Sequence, residues 1–367
     1  MIRIKAPGRI CLFGEHQDYL SYPVIAMAIS KYIYLEAKKI SEPKFLISLP
    51  DVKDSIEIRL NNRKLEYISK RDYLRSGYNH FLRMGINFSH GYDIKITGDI
   101  PINAGVASSS ALVMAWLYFL NTIGGSPLSD EVALASQGYN TEVREFGEAG
   151  GKMDFFSSAY GNIIYLDSSE PKYLVKQYNL SLDGFVLGDS LEKKDTVDDL
   201  IRIKTISLDA FEALKEILPE FDQFTTKLAD LEEYLQNLNK KHQKIVVGQL
   251  KNRDLTQNAK KLISYYFNRS NKSEKDKLIF YQELGNLLHE HHQQLDTNVG
   301  ISTKKINIML SECMDKGAFG GKINGSGFGG TMFALTLPGK ESKFAKAIEN
   351  AGGKAYLIKT SNGVESY

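Results

Sequence analysis

The sequence predicts a two-domain protein in which strands and helices are distributed unevenly along the chain. A chain of 367 residues is longer than a single hydrophobic core usually serves. The first 100 residues show alternating or short β-branched runs, whereas residues 197–293 repeat apolar positions at helical spacing. We therefore place a boundary near residue 180, which divides the chain into residues 1–180 and 181–367.

The amino-terminal third is predicted to be rich in strands. Five runs indicate strands and one stretch indicates a helix among them. The strands are RIKAPGRICLFG, VIAMAISKYIYLEAKKI, KFLISL, SIEIRL and YDIKITGDI, and the helix is SKRDYLRSGYNHFLRMG.

The pattern changes after Pro101. SSALVMAWLYFLNTIG predicts an apolar helix that ends at Gly124-Gly125, and SDEVALASQGYNTEVREF predicts a second helix with Ser129 as its N-cap. GNIIYLD and DGFVLGDS predict strands. From KINGSGFGGTMFALTL to KAYLIKT the chain is predicted to form a strand, a Gly-rich loop, a strand, a helix and a strand.

Composition disfavours several classes of function. The formal net charge of +2 gives no reason to expect a nucleic-acid partner. No apolar run reaches the length of a membrane span and the amino terminus has no long apolar segment, so we expect no membrane partner and a cytoplasmic location. Cys11 and Cys313 stand in apolar or helical surroundings, which favours buried free thiols. Monomer and homodimer both remain open.

The segment PINAGVASSSALVMAWLYFL, residues 101–120, places three serines at the start of a predicted helix. Free backbone N–H groups and the helix dipole attract an anion there, and small residues let a phosphate approach the backbone. Hydroxyls at this position suit phosphate oxygens or Mg²⁺. A plain serine N-cap before a core helix explains the pattern about as well, and no Walker A sequence follows. The residues concerned are Ala104, Gly105, Ala107, Ser108, Ser109 and Ser110.

Two further stretches place charged residues among apolar ones. In APGRICLFGEHQDYL, residues 6–20, the polar residues are expected either to face a ligand or to form a turn with an ion pair at Arg9. In residues 140–162, Asp154 precedes two phenylalanines, where a carboxylate needs a specific role or caps a helix. Glu142 is interpreted either as a Mg²⁺ ligand or as a surface acid. HEHH at 289–292 lacks a completing ligand cluster, so a metal site there is disfavoured.

Together and in this order, three motifs resemble those of the GHMP kinase superfamily: APGRICLFGEH, PINAGVASSSAL and KINGSGFGG. Within it, GEHQDY is similar to the galactokinase signature GEHTDY, and GGKMDFFSSAYG is similar to GIMDQFASAxG. The resemblance spans essentially the whole chain and is closest to galactokinases and related sugar 1-kinases. It implies an α+β fold of two domains with the active site in the cleft between them.

The resemblance also implies an activity and a set of roles. The activity is ATP-dependent phosphorylation of a sugar hydroxyl, which is expected to be the anomeric one, with ATP and Mg²⁺ as cofactors. Asp154 would be the catalytic base, and Arg9 would stabilise charge on the transferring phosphoryl group. Ser109 and Glu142 would contact Mg²⁺. The residues implied to hold sugar hydroxyls are Glu15, His16 and Asp18, and those of the phosphate loop are Asn103, Ala104, Gly105, Val106, Ala107, Ser108 and Ser109.

The chain departs from the family pattern at four places. In the phosphate loop, Asn103 replaces a residue that is usually Gly and Ala107 replaces one that is usually Ser or Gly. Neither change should abolish ATP binding, because Gly105 and Ser108-Ser109 remain. Lys152 replaces an apolar residue. Lys152 is interpreted as a partner of Asp154 or as a contact for a substrate anion. The region GDSLEKKDTVDDLIRIK lacks the tyrosine that contacts sugar in galactokinases. Another hexose, a uronic acid, a deoxy sugar, a heptose or a cyclitol therefore stays open, as do a mevalonate-type kinase and a non-catalytic sugar sensor.

Overall fold

The computed structural model describes residues 1–169, 173–193 and 196–367. The described strands, β1 to β12, are Ile2–Phe13, Val24–Ile40, Lys44–Leu49, Asp54–Arg59, Gly91–Gly98, Ile163–Asp167, Leu174–Tyr178, Phe185–Asp189, Gly320–Asn324, Thr331–Leu335, Lys354–Ile358 and Glu365–Ser366. The described helices, α1 to α10, are Tyr73–Arg83, Ser108–Ile123, Glu131–Tyr139, Met153–Tyr160, Thr196–Ile217, Glu232–Leu235, Lys240–Asn268, Glu274–Gln294, Lys304–Asp315 and Glu341–Asn350. The predicted strands and helices are thus confirmed in type and order, except that the second predicted helix is α-helical only over Glu131–Tyr139 and continues as a π-helical turn, Asn140–Arg144.

The first sheet has the strand order β12-β1-β2-β5-β3-β4, with β6 joined to β2 and β7 joined to β6. The long β2 strand allows this branching, because its first residues pair with β6 and its later residues pair with β5. The β1–β2 register shifts between Pro7 and Arg9 and again between Cys11 and Phe13. Such bulges bend a strand and re-aim its side chains, and here both lie within the first motif, residues 6–16.

The apolar helix α2 packs against this sheet. It is apolar on nearly every face and its central residues are buried, as expected for a helix covered on all sides. Trp116 lies at its centre, stacks on Phe119 and meets the Phe45 ring of β3 edge-on. This packing holds the amino-terminal end of α2 at a fixed place beside β1.

A second sheet, with the order β11-β8-β10-β9, is antiparallel throughout. Helices α9 and α10 pack on it and share a second hydrophobic core with α5 and α7. Its strands all follow residue 180, whereas β12 returns to the first sheet. The division into residues 1–180 and 181–367 stays a prediction.

Several local predictions can be compared with the structure. Cys11 and Cys313 are buried and free, as predicted. The N-cap of α3 is Asp130 and not Ser129, because the Asp130 carboxylate accepts the N–H of Ala133. Among the described residues, no helix is both long and apolar enough to cross a membrane.

Candidate functional site

A cavity of about 230 Å³ lies where the end of β1, the start of α2, the start of α4 and the loop after β9 meet. Most of the residues predicted for the site line it. The exceptions are Ala104 and Val106, which are buried beneath the loop surface. The predicted residues that line the cavity are Arg9, Glu15, His16, Asp18, Asn103, Gly105, Ala107, Ser108, Ser109, Glu142 and Asp154.

Arg9 and Asp154 form an ion pair inside this cavity. The Arg9 Nε donates to Asp154 Oδ1 at 2.7 Å, and Nη1 donates to the carbonyl of Gly105 at 2.6 Å. The Arg9 side chain is 7% exposed and that of Asp154 is 26% exposed. Asp154 stands in the first turn of α4 and is not its N-cap. The hydrogen bond to Arg9 is at Oδ1, and the carboxylate lines the cavity.

The phosphate-loop prediction falls on a tight turn that leads into α2. Asn103, Gly105 and Ala107 all adopt positive φ angles, of 56°, 84° and 60°. Asparagine and glycine tolerate this region, whereas alanine is strained in it by about 1 kcal/mol or more. Ala107 is the N-cap and offers no side-chain cap. The serine N-cap interpretation is therefore wrong, and the three serines form the first turn of the helix, which lines the cavity.

Ser109 is joined to Glu142 across the cavity floor, with Ser109 Oγ donating to Glu142 Oε1 at 2.7 Å. Glu142 stands in a π-helical turn, Asn140–Arg144, that follows α3, and its Oε2 is buried without a hydrogen-bond partner. Burial, opposed by the Ser109 hydrogen bond and reinforced by the charge of Asp154, raises the pKa of the Glu142 carboxyl to about 7. The surface-acid interpretation of Glu142 is therefore wrong.

The oxygen atoms of Ser109 and Glu142 fit a hard divalent cation. An unpartnered buried carboxylate oxygen next to a hydroxyl is the donor set that Mg²⁺ prefers, with remaining positions left for water and phosphate. Within residues 1–169, 173–193 and 196–367, no group of three or more His, Cys, Asp or Glu side chains is arranged to hold a metal alone. A cation here would therefore need a ligand that supplies further oxygens.

Asp18 stands beside Asp154 in the same cavity. Its Oδ1 accepts the N–H of Tyr19 at 2.9 Å and its Oδ2 accepts that of Met153 at 3.4 Å. Burial, together with the neighbouring charge of Asp154, raises the pKa of Asp18 to about 6. Gly151 packs so closely on Asp18 that a Cβ there would collide with its carboxylate. The Asp18 and Asp154 carboxylates thus line one cavity, but Asp154 is paired with Arg9 whereas Asp18 is bound by backbone N–H groups.

Glu15 and His16 are held by protein groups. Glu15 Oε2 accepts from Lys322 Nζ at 2.5 Å, and its Oε1 accepts the N–H of Gly325 at 2.8 Å. His16 lies between the Tyr19 hydroxyl, at 2.7 Å from Nδ1, and the carbonyl of Ser326, at 3.0 Å from Nε2. Both side chains tie the first motif to the Gly-rich loop, and direct contact with a ligand stays a prediction for them.

The sequence did not point to three residues that connect the motifs. Lys322 and Asn324 of β9 and Thr331 of β10 are all fully buried. Asn324 accepts the N–H of Cys11 and donates to the carbonyl of Gly105, while Thr331 donates to that of Ala104. The lysine in the predicted strand that contains KIN could have indicated this connection, because a buried cation needs a partner.

Arg71, Tyr73 and Glu148 also line the cavity without having been predicted. Arg71 Nε donates to Glu148 Oε1 at 2.7 Å. Arg71 has a φ of 66°, a backbone conformation that is uncommon for a long side chain. These residues line the same cavity as the first motif.

The histidines of the HEHH stretch at 289–292 that are buried, His291 and His292, pack against other core residues. His291 stacks on Phe13 with ring centroids 5.7 Å apart, and His292 Nδ1 accepts the N–H of Ile323 at 3.3 Å. Burial lowers the pKa of His291 well below its usual value and that of His292 to about 4. Both rings are therefore neutral at pH 7 and pack in the core.

The raised pKa of Glu142 predicts a pH-dependent stability. The folded chain holds this proton more tightly than the unfolded chain, so the penalty for ionisation is absent below the usual pKa of 4.5 and grows as the pH rises to about 7. Glu142→Gln removes the charge, and at pH 8 without divalent cations it should raise the free energy of unfolding by roughly 2 kcal/mol. Thermal unfolding in EDTA at pH 5 and pH 8 measures this difference.

The matched control is Glu148→Gln in the same cavity. Glu148 has an ion pair with Arg71, so its neutralisation should not stabilise the protein at pH 8. An equal gain from both variants would contradict the assignment of the penalty to Glu142. The two variants should also differ in their response to Mg²⁺, which stabilises the parent and Glu148→Gln more than Glu142→Gln.

Three protein-family models match this chain. A model described as the GHMP kinases N terminal domain matches residues 72–162, and one described as GHMP kinases C terminal matches residues 277–355. A galactokinase galactose-binding signature matches residues 2–39. These ranges include all three motifs of the cavity.

Whole-length relatives of two kinds are found. A mevalonate kinase of Pyrococcus furiosus is 27% identical over 97% of this chain and 95% of its own length. A galactokinase of Thermotoga neapolitana is 25% identical over 100% of this chain and 98% of its own. The crystal structure of Lactococcus lactis galactokinase complexed with galactose matches with a TM-score of 0.83 at 20% identity, covering 99% of this chain and 94% of that one. The expected α+β fold is therefore confirmed, and the relatives leave the acceptor undecided.

Proposed function

The chain is a GHMP kinase, a phosphotransferase with an alcohol group as acceptor, and from this premise we propose that it transfers the γ-phosphate of ATP to a sugar hydroxyl, the anomeric one. The galactose-binding signature over residues 2–39 supports a sugar. The observation that carries the proposal is the Arg9–Asp154 ion pair beside the amino-terminal end of α2. It brings a proton acceptor and positive charge to one cavity, which is what phosphoryl transfer requires.

In the proposed reaction, the oxygen of the acceptor hydroxyl bonds to the γ-phosphorus while the bond from that phosphorus to the β,γ-bridging oxygen breaks and ADP leaves. Asp154 accepts the proton of the hydroxyl. Arg9 orients Asp154 through Nε and offsets negative charge that develops on the phosphoryl group. Asp18 is placed to accept a hydrogen bond from a neighbouring hydroxyl of the acceptor. Its raised pKa of about 6 still leaves it ionised at pH 7.5.

GHMP kinases use ATP, and the phosphate loop offers a place for its phosphates. The first turn of α2, with Ser108 and Ser110, lines the cavity, and the free N–H groups of a helix start attract phosphate. Ser109 and Glu142 are the residues that would hold Mg²⁺, which would neutralise charge on the phosphates. With Glu142 ionising near pH 7, we expect the affinity for Mg²⁺ to fall as the pH drops below 7.

The experiment is a measurement of ADP release with Mg-ATP over a panel of acceptors. The panel holds galactose, glucose, mannose, fucose, arabinose, N-acetylhexosamines, heptoses, inositol and mevalonate. Turnover of a sugar, with the phosphate located at C1 by ³¹P NMR, supports the proposal. Turnover of mevalonate and of no sugar contradicts it and favours a mevalonate kinase. Binding of ATP and sugar without ADP release favours a sensor on the same fold.

The contact between Gly151 and Asp18 predicts a specific defect. Gly151→Ala pushes the Asp18 carboxylate out of its position, so KM for the acceptor should rise about tenfold or more, with a smaller change in KM for ATP. Steady-state kinetics with each substrate varied in turn measures the two effects. Gly150→Ala is the control, because its nearest neighbour, Val143 Cγ2, is 3.3 Å from the added Cβ. Equal effects in both variants would contradict a special role for Asp18.

A further inference from the structure

Three consecutive carbonyl groups of the phosphate loop are hydrogen-bonded by other parts of the chain. The carbonyl of Ala104 accepts Thr331 Oγ1 at 2.9 Å, and that of Val106 accepts the N–H of Arg9 at 3.2 Å. The carbonyl between them, that of Gly105, accepts two side-chain donors. A peptide flip that turned one of these carbonyls towards anionic phosphates would therefore have to break at least one hydrogen bond.

The Gly105 carbonyl joins the phosphate loop to the ion pair of the cavity. Asn324 Nδ2 donates to this oxygen at 2.8 Å and Arg9 Nη1 donates to it at 2.6 Å, so both of its lone pairs are used. The same guanidinium donates through Nε to Asp154 Oδ1. Hydrogen bonds thus connect β9, through the loop and Arg9, to the residue that we propose as the base.

Asn324 is itself fixed by hydrogen bonds at both ends of its amide. Its Oδ1 accepts the N–H of Cys11 at 2.8 Å, and its Nδ2 donates to Thr331 Oγ1 at 3.3 Å as well as to Gly105. Asn324 and Thr331 both have an exposed fraction of 0%. The next residue, Gly325, lies so close to the loop that an added Cβ would be 2.7 Å from the Gly105 oxygen. The end of β9 therefore packs directly on the phosphate loop.

The phosphate loop needs such support because two of its non-glycine residues adopt positive φ angles. These angles are 56° at Asn103 and 60° at Ala107. A strained backbone conformation persists only where the surrounding structure determines it. Ala107 is also the N-cap of α2 and offers no side-chain cap. Without the hydrogen bonds to its carbonyls, we expect the loop to relax and the start of α2 to lose its alignment with the phosphates.

We propose that Asn324 is a positioning residue for phosphoryl transfer, which aligns the phosphate loop and Arg9 by binding the Gly105 carbonyl that they share. This proposal rests on the proposed roles of the loop and of Arg9. Asn324 forms and breaks no covalent bond in the reaction and acts through these two neighbours. Its loss should therefore weaken ATP binding through the loop and slow the chemical step through Arg9.

The main test is Asn324→Ala, which removes the donor to the Gly105 carbonyl. KM for ATP should rise about tenfold and kcat should fall about tenfold, while KM for the acceptor changes less than about threefold. Steady-state kinetics with each substrate varied in turn measures these three values. Calorimetric titration with Mg²⁺ and a non-hydrolysable ATP analogue should show the same tenfold loss of affinity.

Thr331 provides a milder pair of variants. Thr331→Val keeps the shape of the side chain but removes the donor to the Ala104 carbonyl, so KM for ATP should rise about fivefold. Thr331→Ser keeps the hydroxyl and should restore the value of the parent. A Thr331→Val variant with the KM and kcat of the parent would contradict the need for these carbonyl contacts, even if Asn324→Ala does not fold.

Asn79→Ala is the matched control, because Asn79 is 1% exposed and its amide also makes two backbone hydrogen bonds. It accepts the N–H of Leu65 at 2.8 Å and donates to the carbonyl of Leu65 at 2.9 Å. We expect Asn79→Ala to lower the midpoint of thermal unfolding, as Asn324→Ala does, but to keep KM for ATP and kcat. Equal kinetic effects in the two variants would overturn the positioning role and assign both to lost stability.

The failures of this inference and of the proposed function are distinguishable. Unchanged KM for ATP and kcat in a folded Asn324→Ala variant would overturn the inference and leave the sugar kinase standing. If no sugar is turned over, the sugar-kinase proposal fails and calorimetry with the ATP analogue decides the inference alone. Affinity that weakens about tenfold in Asn324→Ala but not in Asn79→Ala supports it. Equal affinity in the two variants, or a parent that does not bind the analogue, overturns it.

Discussion

Asp154→Asn is expected to lower kcat for phosphoryl transfer by about a thousandfold while nucleotide binding is retained. Asparagine keeps the shape of aspartate and still offers an oxygen to Arg9 Nε, which is 2.7 Å from Asp154 Oδ1 in the parent. It has no negative charge and does not accept a proton from the acceptor hydroxyl. The loss should therefore appear in kcat more than in KM for either substrate.

Two measurements separate this effect from damage to the fold. Arg9 is buried, so loss of its counter-charge lowers stability, and thermal unfolding reports how much. Calorimetric titration with an ATP analogue reports whether the phosphate loop is intact. Asp130→Asn is the matched control, because asparagine caps α3 as well as aspartate does. A change in kcat of less than tenfold in Asp154→Asn would contradict its assignment as the base.

Lys322→Met should lower the free energy of unfolding by about 3–5 kcal/mol, because it leaves the carboxylate of Glu15 buried without its ion-pair partner. Lys322 has a side-chain exposure of 0% and Glu15 one of 3%. Lys322 Nζ also donates to the carbonyl of Cys11 at 2.8 Å, so that acceptor loses a partner too. The midpoint of thermal unfolding measures the loss.

A double variant isolates the contribution of the pair. Glu15→Gln combined with Lys322→Met removes both charges, and should be more stable than Lys322→Met alone by at least 1 kcal/mol. Lys215→Met serves as the control, because its ion pair with Glu212 is exposed and contributes under about 1 kcal/mol. A double variant that is no more stable than Lys322→Met would show that the charge on Glu15 is not the source of the loss.

Structural features that depend on neighbouring residues could be predicted from the sequence. The alternation in β1 and β2 and the apolar run of α2 predicted their types correctly, because each pattern repeats at the period of its own element. The cavity likewise gathers the motif residues, since small residues and hydroxyls at a helix start have a local effect. Roles in catalysis stay predictions for all of them.

Other features depend on packing between distant segments and were not predicted. Ala107 forms the N-cap in a strained conformation that three following serines do not suggest. The π-helical turn at Asn140–Arg144 aims Glu142 at Ser109, although the sequence there indicates an ordinary helix. The Glu15–Lys322 pair joins residues 307 positions apart, and no local pattern encodes that distance.

The hydrogen bonds that close the cavity have a consequence for folding kinetics. Arg9 meets Asp154 across 145 positions of the chain, and Cys11 meets Asn324 across 313. Contacts of such sequence separation form late, since the entropy of closing long loops must be overcome first. During synthesis, β1 emerges long before β9. Until β9 is made, the groups of β1 that bind Lys322 and Asn324 have no partner from that strand. The cavity is therefore completed only when the second sheet docks, and enzymatic activity is a late marker of the folded chain.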